Sequence, residues 1–381
     1  MHFGWTEAQL SFCTRVKDFL ARELPENWES IACQSPGSKA VTDFSRTFCP
    51  KLAAAGLLVP HWPVEFGGRD APPWEHFILG ELMWELGEPR GPQYYNVNWL
   101  GPAILRYGTP RQKAHHLALM SAGNVVWCQG FSEPSAGSDL ASLRTSAELS
   151  GGKFIIRGSK IWTSYAALSD YCFLLARVGG ELPGITVFLL PMNRPGIVVR
   201  PIRSVVGDGD LHEVFFDSVE AQSDEVLGEV GRGWEVVRYA LHYERVGIPR
   251  YALASRTLDR TVRRIEADRE FNGPAREKAA CAYAACEAAR LLTYRAVDRR
   301  ARSMPPDGST SVARYSTVMA ENRVAEFVLD FQPNLLADGV EKMIETHHRR
   351  AIAAGIASGA AEIQLNLISR DVLALGSHNG A

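Results

Sequence analysis

The sequence of 381 residues contains no apolar run long enough to cross a bilayer. It also does not begin with the basic and then apolar stretch of a secretory signal. An excess of positive charge is missing as well, because 41 basic residues stand against 43 acidic ones. We therefore expect neither a membrane span nor a nucleic-acid partner.

Cysteine is scarce and follows no metal-binding pattern. The seven cysteines include no C-x-x-C pair, so we expect neither a disulfide framework nor a zinc site, and a reducing cytoplasm fits best. The histidine pairs His115-His116 and His347-His348 do not form metal sites alone, because neighbouring helix residues point about 100° apart. We expect these histidines at surface or capping positions, and we predict no bound metal.

The composition present is that of a packed globular protein, with 46% hydrophobic and 22% charged residues. The length predicts two or three domains. The expected fold class is α+β and multidomain. Its parts are an N-terminal helical domain at 1–123, a middle antiparallel β-barrel or sandwich at 124–232 and a C-terminal four-helix bundle at 233–381.

Local patterns support each region. In the first, Thr6 and Gln9 form a capping box before helical spacing, and a further helix follows Pro72-Pro73. The middle region contains short β-rich runs separated by turn signals, at 125–127, 153–157, 171–176, 185–190, 197–202 and 213–216. The last region predicts long helices at 234–267, 275–302 and 311–336, with a fourth covering the C-terminus.

Residues 127–164 are the most informative segment. Pro134 cannot lie inside a central strand, because proline lacks the ladder donor, and Gly137-Ser138-Asp139 adds turn chemistry. The segment therefore predicts an irregular loop with free backbone N–H groups, which suits the edge of a flavin ring or a phosphate. The alternative is an ordinary hairpin turn.

This segment closely resembles the acyl-CoA dehydrogenase family. The family's E-P-x-A-G-S-D loop is present at 133–139, and its G-x-K-x-W strand follows at 158–162. Further family stretches match at 62–68, at 231–234 and at Glu244-Arg245, so the likeness extends to about residue 264 in the family's own order. The resemblance implies the acyl-CoA dehydrogenase fold, an FAD cofactor and an acyl-CoA substrate.

The resemblance also implies roles for individual residues. Gln129, Phe131 and Ser132 would line the pyrimidine end of the flavin, and Gly137 would belong to the same cofactor loop. Ser138 would contact the acyl-CoA or the cofactor. Trp162 would stack on the flavin, while Thr163 and Ser164 would reach its central reactive nitrogen. The alternative for Trp162 is a core residue of the β domain.

The predicted chemistry needs a carboxylate base beside the α-carbon of the thioester. Many family members place this base where the present sequence has Ser358, which cannot serve. A smaller group places it just before an arginine in the first bundle helix, and that position is Glu244, followed by Arg245. Gly247 and Pro249 predict a kink in this helix. The alternatives are a solvated Glu244, and an Arg245 that binds either coenzyme A or a surface carboxylate.

The sequence departs from homomeric family members where they complete a neighbour's flavin site. Their R-x-x-F-G stretch corresponds to 268–272, where only Phe271 agrees, and Ala279 replaces their glutamine. Their Q-x-x-G-G turn has no equivalent around 333–339. This pattern resembles heteromeric members, such as those acting on steroid side chains, so we expect a homologous second subunit, in a two-plus-two heterotetramer, and an electron-acceptor protein.

The predicted function is the α,β-dehydrogenation of an acyl-CoA thioester, with α-proton abstraction by Glu244 and hydride transfer to the flavin. Two alternatives stay open. The chain would be a non-catalytic partner subunit in the first, and a flavin oxidase or monooxygenase on the same fold in the second.

Overall fold

The computed structural model describes residues 5–34, 37–180, 184–245, 248–267, 271–305, 307–337 and 341–375. Helices and strands follow one another in three blocks, first helical, then β and then helical again. The first block contains α1 (Glu7–Glu23), α2 (Trp28–Ala32), α3 (Lys39–Ala54), α4 (Pro73–Glu85), α5 (Gly101–Tyr107), α6 (Pro110–Gln112) and α7 (Ala118–Ser121).

The strands are β1 (Trp127–Gly130), β2 (Ser146–Ser150), β3 (Lys153–Ser164), β4 (Tyr171–Val178), β5 (Gly184–Pro191), β6 (Ile197–Ser204), β7 (Gly207–Gln222) and β8 (Val226–Leu227). The last block contains α8 (Gly233–Glu244), α9 (Tyr251–Ala267), α10 (Gly273–Ala301), α11 (Ser309–Phe331), α12 (Asn334–Ala337), α13 (Lys342–Ile352) and α14 (Ala361–Asp371). None of the helices in the described ranges is long and apolar enough to span a membrane.

The expected order of a helical region, a β domain and a second helical region is confirmed. The capping box predicted at Thr6 and Gln9 forms, and a second one forms between Thr109 and Gln112. The three-domain boundaries at 123 and 232 stay a prediction. By its contacts the chain divides into two compact units, one of residues 1–33, 72–88 and 244–381, the other of residues 34–71 and 89–243.

The eight strands form one sheet in the order β6-β7-β3-β2-β4-β5-β8, and β1 pairs with β4. Most neighbours are antiparallel, but β1 and β2 both run parallel to β4. The path ends at β6 and β8, and no pairing between these two strands occurs among the described residues, so the sheet is sandwich-like rather than a closed barrel. Its inner face buries alternate apolar side chains such as Phe154, Ile156 and Phe188.

A buried ion pair ties β3 to the loop that follows β1. The Lys160 ammonium is fully buried and donates to Glu133 Oε1 at 2.8 Å and to the Phe131 carbonyl at 3.0 Å. Glu133 also accepts the backbone N–H groups of Arg144 (2.6 Å) and Thr145 (2.8 Å). Burial raises the pKa of Glu133, but the hydrogen bonds from Lys160 and Thr145 outweigh burial and hold this pKa below its usual value.

The helical unit packs on small side chains. Along α10 the buried positions are mostly alanine, which lets α11 approach closely, and α9 and Phe77 of α4 complete the same core. Phe271 packs against this core, and Ala279 lies inside it at 2% exposure. The remaining positions of the two stretches that depart from homomeric family members, 268–270 and 338–339, lie outside the described residues.

The predicted single helix over 234–267 is wrong. It is two helices, because α8 ends at Glu244 and α9 begins only at Tyr251. Pro249 has no N–H to donate and lies in the connection, so the helical ladder cannot pass through it. Gly247, which the sequence placed in the same kink, lies outside the described residues.

Other expectations need smaller corrections. Strand β2 was not expected, the first strand begins at Trp127 rather than at 125, and the helix expected over 311–336 ends at Phe331. The surface positions expected for both histidine pairs are wrong for His116 (8% exposed) and His347 (1% exposed), which are core residues. Burial lowers the pKa of His347 to about 3, so it is neutral at physiological pH. In the described part of the chain, no group of three or more His, Cys, Asp or Glu side chains forms a metal site.

We predict that Lys160→Met destabilises the protein by about 3–5 kcal/mol, because it leaves the Glu133 carboxylate buried without its cation. Lys153→Met is the matched control on the same strand, because its pair with Glu220 is half exposed. Denaturant unfolding measures both variants. Equal stability changes for the two would contradict the structural role assigned to the buried pair.

Candidate active site

The predicted site residues fall into two groups, one in each compact unit. The first group lies where β1 ends. The side-chain oxygen of Gln129 accepts from Trp99 Nε1 at 2.9 Å, so its amide nitrogen is the group left for a ligand. Phe131 is only 7% exposed and packs against Phe173, with ring centroids 6.0 Å apart. The Phe131 ring therefore packs mainly in the core of the β sheet.

A bulge in β3 turns Trp162 outward. The register between β3 and β7 shifts between Lys160 and Thr163, and Trp162 has a φ of 58°, which non-glycine residues rarely adopt. Its indole is 56% exposed, which is unusual for a strand tryptophan. The core position considered for Trp162 is thus wrong, because the bulge directs the side chain away from the sheet interior.

Ser132 and the Trp162-Ser164 stretch lie side by side. The backbone N–H of Ile161 donates to the Ser132 carbonyl at 2.9 Å, which brings the loop after β1 against β3. Thr163 Oγ1 is buried and has no hydrogen-bond partner among the described residues. The exposed indole of Trp162 could stack on a flat aromatic ring, and the neighbouring Thr163 hydroxyl could form a hydrogen bond with a polar atom of that ring.

The loop with the E-P-x-A-G-S-D sequence is a tight turn with an open far end. Glu133 and Ala136 exchange backbone hydrogen bonds at 3.0 Å, and Gly137 and Ser138 beyond them are exposed. A Cβ added at Gly137 would meet nothing within 4 Å. Packing within the described residues therefore does not require glycine at this position, and the space beside it is open.

The second group surrounds Glu244, the last residue of α8. Glu244 is 8% exposed, so the solvated position considered for it is wrong. The Ser358 hydroxyl donates to Glu244 Oε1 at 2.8 Å. Burial raises the pKa of Glu244 above its ordinary value, while the Ser358 hydrogen bond and the charges of Arg314 and Arg245 oppose this rise.

Arg245 is half-buried beside two carboxylates. Burial lowers the pKa of its guanidinium, and the charges of Glu244 and Asp371 counteract that effect. Asp371 is itself paired with Arg370, and Arg245 forms no ion pair among the described residues. Both roles considered for Arg245, a contact with coenzyme A and a contact with a surface carboxylate, therefore stay predictions.

Two contacts of these residues have no signal in the sequence. Glu133 and Lys160 belong to two separate motifs, and the structure pairs them. Ser358 stands at a position that lacks the family's base, and its hydroxyl contacts Glu244 across 114 residues of sequence. No local pattern predicts either contact.

The residues near β1 and β3 fit a flavin. The exposed Trp162 ring offers a stacking face, Thr163 Oγ1 lacks a hydrogen-bond partner among the described residues, and the Gln129 amide nitrogen is available.

Comparison with known proteins gives matches over most of the chain. Three family models match in order, namely the N-terminal, middle and C-terminal domains of acyl-CoA dehydrogenase, at residues 6–124, 128–219 and 231–373. The acyl-CoA dehydrogenase IpdE1 of Mycobacterium tuberculosis is 31% identical over 375 residues, which cover 96% of this chain and 97% of that protein.

Solved structures of acyl-CoA dehydrogenases share the fold of this chain. The "Tcur3481-Tcur3483 steroid ACAD" superposes with a TM-score of 0.87 at 26% identity, covering 97% of this chain and 98% of that one. A chain of the ChsE4-ChsE5 complex from Mycobacterium tuberculosis shares the fold with a TM-score of 0.87 at 22% identity, covering 99% and 100% of the two chains. Members of this family are flavoproteins. On this evidence the chain belongs to the acyl-CoA dehydrogenase family.

Proposed function

We propose that the chain is the catalytic subunit of an FAD-dependent acyl-CoA dehydrogenase, with Glu244 as the base. One observation supports this proposal above the others. Glu244 is a buried carboxylate with a raised pKa, whereas the alternative base position is Ser358, whose hydroxyl cannot serve as a base.

The reaction divides into two transfers that balance. The Glu244 carboxylate takes the proton from the α-carbon of the thioester, and the β-carbon loses a hydride as the carbon–carbon double bond forms. A bound flavin would supply the two-electron acceptor for that hydride. Burial serves this step, because a carboxylate whose pKa is raised toward the working pH is a stronger base for a weakly acidic C–H proton.

Other residues of the chain hold the reactants. Trp162, Thr163 and Ser164 would present a stacking face and hydroxyls to the flavin, together with the polar groups of Gln129 and Ser132. Phe131 and Gly137 would border the same cofactor site. Ser138 and Arg245 would contact the acyl-CoA.

We further propose that a homologous second subunit completes the flavin site, in a two-plus-two assembly. Ala279 stands where homomeric members have a donated glutamine, and it is 2% exposed, so it has neither the chemistry nor the access for that role. Phe271 is partly buried and packs against the helical core of its own chain. The similarity to a steroid dehydrogenase named for two chains supports a bulky steroid side-chain thioester as substrate.

We predict that Glu244→Gln lowers kcat by about 10²–10⁴-fold, because it removes the proton acceptor and keeps the side-chain shape. Glu235→Gln is the control, since this glutamate lies on the same helix with 43% of its side chain exposed. Turnover of acyl-CoA with an artificial electron acceptor measures both, with flavin absorbance as the check on folding. Unchanged turnover in Glu244→Gln would favour a non-catalytic subunit.

The raised pKa of Glu244 also predicts a pH-dependent stability. Ionising this buried group costs folding free energy, so its contribution to stability falls as pH rises from its ordinary value of 4.5 through the raised value. Glu244→Gln removes that loss. Its melting temperature relative to the wild type should therefore be higher at pH 8 than at pH 5. A difference that is constant across this range would contradict the buried ionisable state.

The chain purified alone should bind less than one flavin per chain, because half of each cofactor site would come from the partner. Co-purification from the native host should recover a second homologous chain and a full flavin spectrum. Light-scattering mass and flavin absorbance give the stoichiometry. A stable homomer with one flavin per chain would rule out the heteromer.

A further inference from the structure

The loop between α13 and α14 is held by two buried side chains. Arg314 of α11, 4% exposed, donates through Nη2 to the carbonyls of Ala354 (2.5 Å) and Ala357 (3.0 Å). Gln364 of α14, fully buried, donates through Nε2 to the carbonyls of Ser358 (3.4 Å) and Gly359 (3.3 Å). These hydrogen bonds hold four carbonyl groups of a loop that has no regular secondary structure.

Ser358 adopts a backbone conformation that is unfavourable for residues other than glycine. Its φ is 58°, in the left-handed region, where glycine would lie without strain. Gly359 follows at φ 83°, and a Cβ there would lie 2.4 Å from Gln364 Nε2. The positive φ and the contact with Gln364 both favour glycine at 359. At 358 the loop would accept glycine more readily than the serine that is present.

The serine hydroxyl has a specific contact. Its Oγ donates to Glu244 Oε1 at 2.8 Å. The second oxygen of Glu244, Oε2, accepts no hydrogen bond from the described residues. One oxygen of the carboxylate is thus held, and the other stays available as the proton acceptor.

We propose that Ser358 is a positioning residue for the base, whose hydroxyl fixes the rotamer of Glu244 and favours its ionised form. This inference deepens the proposed function and rests on it. Ser358 occupies the position at which many family members carry the base. In this chain it would orient Glu244, the base at the other position. The strained backbone at 358 fits this role, because glycine would relieve the strain but would remove the hydroxyl.

Charged groups around Glu244 come from two elements. Arg314 reaches it from α11, and Arg245 follows it directly in sequence. Glu321, buried on α11, also feels the charge of Arg314, so that cation is shared between two carboxylates. Among the described residues, Ser358 is the hydrogen-bond donor to Glu244. It therefore opposes the effect of burial on the pKa of Glu244 through a short-range contact.

The test compares Ser358→Gly and Ser358→Ala in the assembled holoenzyme. Both variants remove the hydroxyl, but only glycine relieves the strain of the left-handed backbone conformation at 358. Without the donor the pKa of Glu244 rises, so the acid limb of the kcat profile should move to higher pH in both variants. On that limb kcat should fall about tenfold, the size expected for a hydrogen bond to a charged group. KM should change little, because the contact that the hydroxyl makes in the structure is with Glu244 and a positioning role acts on the proton-transfer step.

Stability separates the positioning role from a structural one. Ser358→Gly should melt at or above the wild-type temperature, whereas Ser358→Ala should melt below it. Ser303→Gly is the matched control, because Ser303 is exposed with a φ of 53° and should alter the melting temperature alone.

The experiments distinguish a failure of the proposed function from a failure of the positioning role of Ser358. If Glu244→Gln keeps full turnover, the proposed function itself fails. If Glu244→Gln is inactive while both Ser358 variants keep the wild-type acid limb and kcat, the positioning role is overturned and the proposed function stands.

Discussion

The removal of one carboxylate from water is the constraint on which the proposed chemistry depends. Glu244 ends α8 at 8% exposure, and its pKa rises because burial outweighs the hydrogen bond and the two nearby guanidinium groups. A solvated carboxylate would be too weak a base for a C–H proton. A fully paired one would be weaker still. Among the described residues Ser358 gives Glu244 one neutral donor, which is a compromise between order and basicity.

The two buried glutamates show how partners decide roles. Glu133 accepts from the ammonium of Lys160 and from two backbone N–H groups, and its pKa lies below the usual value. It therefore stays ionised and holds the loop after β1 against β3. Glu244 has one hydroxyl donor, and its pKa lies above the usual value. The same side chain is structural in one unit and suited to proton transfer in the other.

Much of the fold followed from local patterns, whereas the contacts that tune the site did not. The Thr6 capping box and the helical and β regions were predictable from spacing and motif, whereas the choice between a solvated and a buried Glu244 needed the structure. Strand β2 was not, because Ser146–Ser150 is mostly polar and exposed. The Ser358–Glu244 contact joins residues 114 apart, and tertiary packing alone brings them together. For the same reason the burial of His347 had no local signal.

Hydrogen exchange at the α-carbon isolates proton abstraction from hydride transfer. A bound acyl-CoA that has α-hydrogens but no hydrogen on its β-carbon cannot be oxidised, so solvent deuterium enters only through a base. Mass spectrometry of the thioester after incubation in deuterated water measures this rate. We expect rapid exchange with the assembled wild-type enzyme and only background exchange with Glu244→Gln. Equal exchange in both would contradict the assignment of Glu244 as the base.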